Sequence, residues 1–425
     1  MNPNAVEVRI WGQRVGAVAF DDQNSSYAFS YASSWMKAGV ELSPLQLPLR
    51  AGQGPFVFPG LARLTFSGLP GMLADALPDN WGNRIVDAYL QSKGIPKASV
   101  NVLDRLSYVG RRGLGALEFK PTMGSLKGLS KGIEMQDLVE EARLVLEGHV
   151  TDQVLAKKAL SQLIDVGASA GGARAKAVVA WNESTKELRS GQFDVPAGFE
   201  HWLLKFDGMG TDAELGGTEH YGRIEYAYFL MARAAGIRMS PSRLLEENGR
   251  AHFMTLRFDR DGNQKHHVQT LCGLDHLDFR QAGTHDYGQA FMVMDKLGLG
   301  SEAREELFRR MALNVMARNC DDHTKNIAFL LKQFGSWELA PAYDVIFAHN
   351  PQGAWTARHQ MSVNGRFDDI RRSDLLLHAE RFRVRKPEAL LADVRASVDS
   401  FGEFAAKAGL MPGVRDALVK QFRVV

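Results

Sequence analysis

The 425 residues are 45% hydrophobic and 24% charged, the composition of a soluble globular protein with two or three domains or lobes. With 51 basic and 49 acidic side chains the formal charge is +2, which excludes bulk attraction to nucleic acid, so any DNA contact needs a local patch or a partner. Cys272 and Cys320 form no CxxC pair, no leader is visible, and no apolar run approaches the ~20 residues of a membrane span; the expectation is a reducing, cytoplasmic setting without a zinc site, disulfide framework or membrane anchor.

In chain order, alternation of Val6, Val8 and Ile10 predicts a hairpin over residues 6–22 turning at Gly12-Gln13, with a further strand over Tyr27 to Tyr31. After a proline-rich stretch, residues 69–90 read as helical, broken by Pro78. Gly110, Gly113 and Gly115 read as a structural turn running into a strand at Ala116–Phe119. A polar linker near 121–133 precedes helices at about 135–147 and 152–164. Strands follow at 177–181 and 201–206, a long amphipathic helix from about 217 to 236, and strands near 242–246 and 252–258. From about 287 the chain is mostly helical, apart from one hairpin over Ile327–Leu331 and Trp337–Leu339.

That hairpin follows the most informative stretch, Asp321-Asp322-His323-Thr324-Lys325-Asn326, and ends at Asp344. A carboxylate, an amide five residues later and a second carboxylate beyond a hairpin follow the order that protein kinases use for a catalytic Asp, a metal-binding Asn and a metal-binding Asp. Phe308, Met311, Ala312, Val315 and Met316 predict a buried helix face that delivers Asp321 from a rigid support. The hairpin lets Asn326 and Asp344 meet at one Mg²⁺, which takes hard oxygen ligands, while Asp321 faces an attacking hydroxyl. His323 and Lys325 add donors for phosphate oxygens.

Three other segments supply what phosphoryl transfer needs. The loop Gly167-Ala168-Ser169-Ala170-Gly171-Gly172-Ala173-Arg174-Ala175-Lys176 has small residues whose N–H groups can cradle phosphates; Gly167, Ala170, Gly171, Gly172 and Lys176 are its candidate contacts. Lys176 lies four residues past Gly172 and a strand follows, so this is not a Walker A loop. Lys205 sits in an apolar strand, where a lysine needs an anion; ATP phosphates are the candidate, with Glu225 on the following helix as a possible partner. The strand Phe253–Asp259 could link two lobes and read an adenine edge through its backbone, with Thr255, Arg257 and Phe258 as candidate ATP contacts. Taken singly, each segment also reads as an ordinary polar loop, flexible loop, edge lysine or strand.

Together these residues resemble the HipA family of bacterial serine/threonine protein kinases, the toxins of toxin–antitoxin pairs, over nearly the whole chain. Trp11-Gly12-Gln13-Arg14-Val15-Gly16, Leu47-Pro48-Leu49 and Leu77-Pro78-Asp79-Asn80 look like the family's N-terminal module; Asp321-x-His323-x-Lys325-Asn326 and Tyr343-Asp344 match its catalytic core. The resemblance implies an α+β, two-lobed kinase-like fold: an added N-terminal β-rich module over residues 1–122, a kinase N-lobe over 123–257 and a mainly helical C-lobe over 258–425. It implies Asp321 as catalytic base, Asn326 and Asp344 as Mg²⁺ ligands, Lys205 at ATP, His323 and Lys325 at the phosphates, and Ser169 as an autophosphorylated off-switch. A phosphoserine adds close to two negative charges, which a phosphate-holding loop would repel. Implied partners are a HipB-like helix-turn-helix antitoxin, DNA through that antitoxin, and a protein substrate such as an aminoacyl-tRNA synthetase. Three departures stand out: Asp322 replaces a glycine, Leu256 replaces an acidic residue, and the loop lacks the commoner Gln-Glu before Lys176. Two other classes fit parts of the pattern: a small-molecule kinase on the same scaffold, and a non-enzymatic co-repressor.

Overall fold

The computed structural model describes residues 3–50, 52, 54–123, 133–147, 174–209, 211–212, 216–217 and 220–425. The glycine loop from Gly167 to Gly172, Ser169 and the helix expected at 152–164 lie outside them.

The N-terminal sheet contains β1 (Ala5–Ile10), β2 (Gln13–Asp21), β3 (Ser26–Tyr31) and β4 (Leu117–Lys120) in the order β3-β2-β1-β4. Val6, Val8 and Ile10 are fully buried, as their alternation requires. Ile10 pairs with Gln13, so the turn residues are Trp11 and Gly12, one position earlier than the sequence suggests. Both have positive φ, the geometry a two-residue hairpin demands. Trp11 is held there by its indole N–H, which donates to Lys265 O at 2.9 Å.

The helical stretch breaks at Pro78, as expected: one short helix covers Gly71–Ala74, and α1 covers Asn80–Ser92. Asp79 caps α1 by accepting from Gly82 N at 2.6 Å. The helix α2 (Val102–Val109) was not expected. Asn101 and Asp104 close a reciprocal capping box at its start, and Gly110 ends it with positive φ.

A second sheet contains β5 (Lys176–Asn182), β6 (Glu187–Ser190), β7 (Glu200–Lys205), β8 (Ser242–Glu247) and β9 (Arg250–Leu256) in the antiparallel order β8-β9-β7-β5-β6. One face carries Ala177, Val179, Trp202 and Leu204 and packs on Trp81, Ile85, Val86 and Leu90 of α1. The other face carries the cross-strand row Lys176, Lys205 and Phe253. Phe253 on that face packs with α3 (Tyr221–Ala234) in the largest core. The helix begins four residues later than periodicity suggests, because Gly216–Gly217 pairs with Thr211–Asp212 as a short ladder.

In the C-terminal half, α4 (Ser301–Met316) buries Phe308, Met311, Ala312, Val315 and Met316 on the expected face. Beside it stands a three-stranded sheet: β10 (His267–Thr270), β11 (Ala328–Leu331) and β12 (Trp337–Leu339), with β11 central. Strand β10 was not expected. Further helices at Leu271–Asp275, Tyr287–Lys296, Arg372–Arg381, Pro387–Asp399, Phe401–Lys407 and Pro412–Val419 belong to this half. The architecture is an α+β, two-lobed kinase-like fold with an N-terminal β-rich unit and a mainly helical C-terminal lobe.

Candidate active site

The row of Lys176 opposite Lys205 explains much of the electrostatics. Like charges directly opposite on neighbouring strands repel, and these two are nearly dehydrated, so each needs its own anion. Lys205 Nζ donates to Glu225 Oε1 on α3 at 2.6 Å and also to Asp344 Oδ1. One ammonium therefore ties the sheet, α3 and the segment beyond the β11–β12 hairpin. Burial disfavours its charge, but Asp344 and Glu225 outweigh that and hold the Lys205 pKa above the usual lysine value. Two carboxylates share this one cation. Burial leaves Glu225 the easier to protonate, while Lys205 and Lys176 overcome burial at Asp344 and hold its pKa down. Asp344 is thus the group kept anionic, in a left-handed backbone conformation (φ +51°).

Lys176, 3% exposed, donates to Asp79 Oδ2 at 2.9 Å. The partner comes from the N-terminal part of the chain, at the start of α1. Trp81 adds a second tie, its indole N–H donating to Lys176 O at 2.8 Å.

Helix α4 ends at Met316 and the chain enters the loop of Asp321 through Arg318, which has positive φ. Cys320 N donates to Ala348 O and Ala348 N to Arg318 O, so the later segment is stitched onto the loop. Asp321 accepts from Trp355 Nε1 at 2.6 Å, and His323 Nε2 lies 3.7 Å from the same oxygen. Its side chain keeps 42% of its surface accessible, enough for an acceptor to reach it. Loss of hydration raises its pKa; His323 and the Trp355 hydrogen bond oppose this, and Asp344 and Asp322 add to it. Asn326 donates its amide N–H to Asp321 O at 2.7 Å, so the amide oxygen is the atom it could offer a metal ion. Across the hairpin the Tyr343 hydroxyl donates to Lys325 O. Asn326 and Asp344 are the neighbours of those two residues. His323 packs between the rings of Phe279 and Trp355, and Lys325 Nζ lies 5.0 Å over Phe279.

Asp322, which the sequence left without a place, turns away from the site into the core. Its Oδ2 accepts from Tyr287 OH at 2.7 Å and His359 Nδ1 at 2.9 Å, and its Oδ1 accepts from Gln360 N at 2.8 Å. His359 is 2% exposed; burial disfavours its charge, but Asp322 overrides this and raises its pKa to about 10. The two adjacent acids thus differ: Asp321 keeps much of its side chain accessible, while Asp322 is buried and holds the loop.

At the expected adenine linker the side chains look elsewhere. The Arg257 guanidinium is buried on Asp259 (2.8 and 2.6 Å), whose Oδ2 also accepts from Gly115 N at 2.7 Å. Arg257 N–H is committed to His201 O at 2.9 Å. Thr255 Oγ1 accepts from Ser242 at 3.0 Å, and the Phe258 ring lies 5.9 Å from that of Tyr343. Trp355, Asp79 and His359 were missed as site residues. Asp79 had been noted only as part of a motif, and no local pattern marks the other two.

Among the described residues no cluster of His, Cys, Asp or Glu could hold a metal ion alone. Asn326 and Asp344 offer hard oxygens that fit Mg²⁺ when phosphate oxygens complete its shell.

A sheet lysine paired with a helix glutamate, above a loop presenting Asp321, Asn326 and Asp344, defines a kinase-like protein. Family models agree in detail: the HipA N-terminal domain matches residues 6–120 and the HipA-like C-terminal domain residues 168–401. The chain belongs to the HipA family. A solved structure described as the Shewanella oneidensis MR-1 toxin–antitoxin system HipA, HipB and operator DNA complex matches 98% of this chain and 94% of its own, with 16% identity and a TM-score of 0.67. A second, the Helicobacter pylori proinflammatory kinase CtkA, covers 52% of this chain and 88% of its own at 11% identity and a TM-score of 0.33. No described helix is long and apolar enough to cross a membrane.

Proposed function

We propose that the chain is an ATP- and Mg²⁺-dependent serine/threonine protein kinase, the cytoplasmic toxin of a toxin–antitoxin pair. The observation that carries this reading is Lys205, held at once by Glu225 and Asp344 and so poised between the two lobes. ATP binds in the cleft between them. Asn326 and Asp344 hold Mg²⁺, which neutralises phosphate charge when bound. Lys205, with His323 and Lys325, meets the phosphates. Asp321 orients the acceptor hydroxyl and takes its proton as the oxygen bonds to the γ-phosphorus and the bond to ADP breaks. Ser169 is the site of self-inactivating phosphorylation.

The partner is a HipB-like antitoxin that brings DNA contact with it, and the substrate is a protein of translation such as an aminoacyl-tRNA synthetase. The test is label transfer from γ-labelled ATP into the chain itself and into lysate proteins. Asp321→Gln should lower transfer at least about 100-fold, the usual worth of a positioned base. Ser169→Ala should abolish self-labelling while sparing transfer to the target. Labelled metabolites without labelled protein would instead mark a small-molecule kinase. Unchanged labelling in Asp321→Gln would remove the site assignment.

A further inference from the structure

We infer that Trp355 is a positioning residue for Asp321: its indole N–H fixes one carboxylate oxygen and so presents the other to the acceptor hydroxyl. The inference rests on the kinase reading above and adds a residue to it. Indole has one donor and no acceptor, so its contact with Oδ1 at 2.6 Å can only pin that oxygen. His323 Nε2 approaches the same oxygen at 3.7 Å from the other ring of the pair, whose centroids lie 6.1 Å apart. Both groups converge on Oδ1.

The indole is not delivered by a free loop. Asn350 N donates to Thr356 O, which closes the loop that carries Trp355. Gln360 donates its side-chain amide to Trp355 O and its backbone N–H to Asp322 Oδ1. His359, one residue earlier, donates to Asp322 Oδ2. Asp321 and Asp322 therefore hold opposite ends of one span, residues 355–360. The buried acid anchors the span, and the anchored span orients the exposed acid. Charged groups facing Asp321 are His323 and Asp322 on its own loop and Asp344 from beyond the hairpin; Trp355 is the neutral donor that faces them.

The test uses the full chain, with label from γ-labelled ATP counted on the chain and on added casein between pH 5.5 and 9. Trp355→Phe keeps the ring and removes the donor. It should lower kcat roughly ten-fold with KM for ATP unchanged, because a misaligned base impairs chemistry rather than nucleotide binding. Trp355→His keeps a ring N–H and should restore most of the rate. Equal impairment of the Phe and His variants, a raised KM for ATP with kcat unchanged, or a faster Phe variant (an indole that blocks the acceptor) would each overturn the inference. If the wild type transfers no label, the kinase reading falls and takes this inference with it. If the wild type transfers and Asp321→Gln does not, only the Trp355 outcome is at issue.

Discussion

Asp322 and His359 show how little of a buried network a sequence reveals. They stand 37 positions apart, and neither lies in a pattern with the other. Asp321 and Asn326 were legible because their spacing carries chemistry; Asp322 was not, because its partners come from Tyr287 and Gln360 through folding alone. The pair has a measurable signature. His359 titrates at about 10 in the folded chain against 6.5 as a free side chain, so its stabilisation is complete below about pH 6.5 and is lost as pH rises through about 10. Removing one member of a buried pair costs about 3–5 kcal/mol, so His359→Gln should lower unfolding free energy by that amount near pH 7, read by urea titration. The gap to the wild type should narrow steadily toward pH 10. Lys265, pushed down to about 8 by burial, titrates in the same window with the opposite sign, so the difference between the two proteins is the quantity to follow.

At the scale of elements, period decided what could be read. Helix α4, with its apolar residues on one face, and strand β1, with strict alternation, were plain. Helix α2 was hidden because it has only eight residues and ends at a glycine cluster that reads as a turn. Strand β10 has the polar sequence His-Val-Gln-Thr and becomes a strand only by pairing with β11. The approach of α3 to the sheet was equally invisible. A Cβ on Gly222 would lie 1.9 Å from Ala251 O on β9, and Glu225 sits one turn further along that helix. Gly222→Ala should push α3 off the sheet, cost about 1–3 kcal/mol and weaken ATP binding through the Glu225–Lys205 contact. Calorimetry with ATP should show the loss; unchanged affinity would mean that the helix has slack.

Across the whole molecule the joint at Asp79 matters most. Lys176 was expected only at the phosphates, and its ion pair lies 97 residues back in the chain. No sequence argument links the two, because the contact exists only once α1 lies on the sheet. Asp79→Ala should take a salt-bridge partner from a buried lysine and lower the unfolding temperature, and Lys176→Met added to it should recover part of that loss, as scanning calorimetry can show.

The seat of α1 on the five-stranded sheet also bears on heredity. Trp81, Ile85, Val86 and Leu90 pack on one face of the sheet that carries Lys205 on the other, so the N-terminal part of the chain backs the strand that holds this lysine. Recombination between relatives at the sequence boundary would join a foreign helix to this sheet and a foreign acid to Lys176. A chimera cut at that boundary should therefore lose stability unless its helix face and its acid match this sheet.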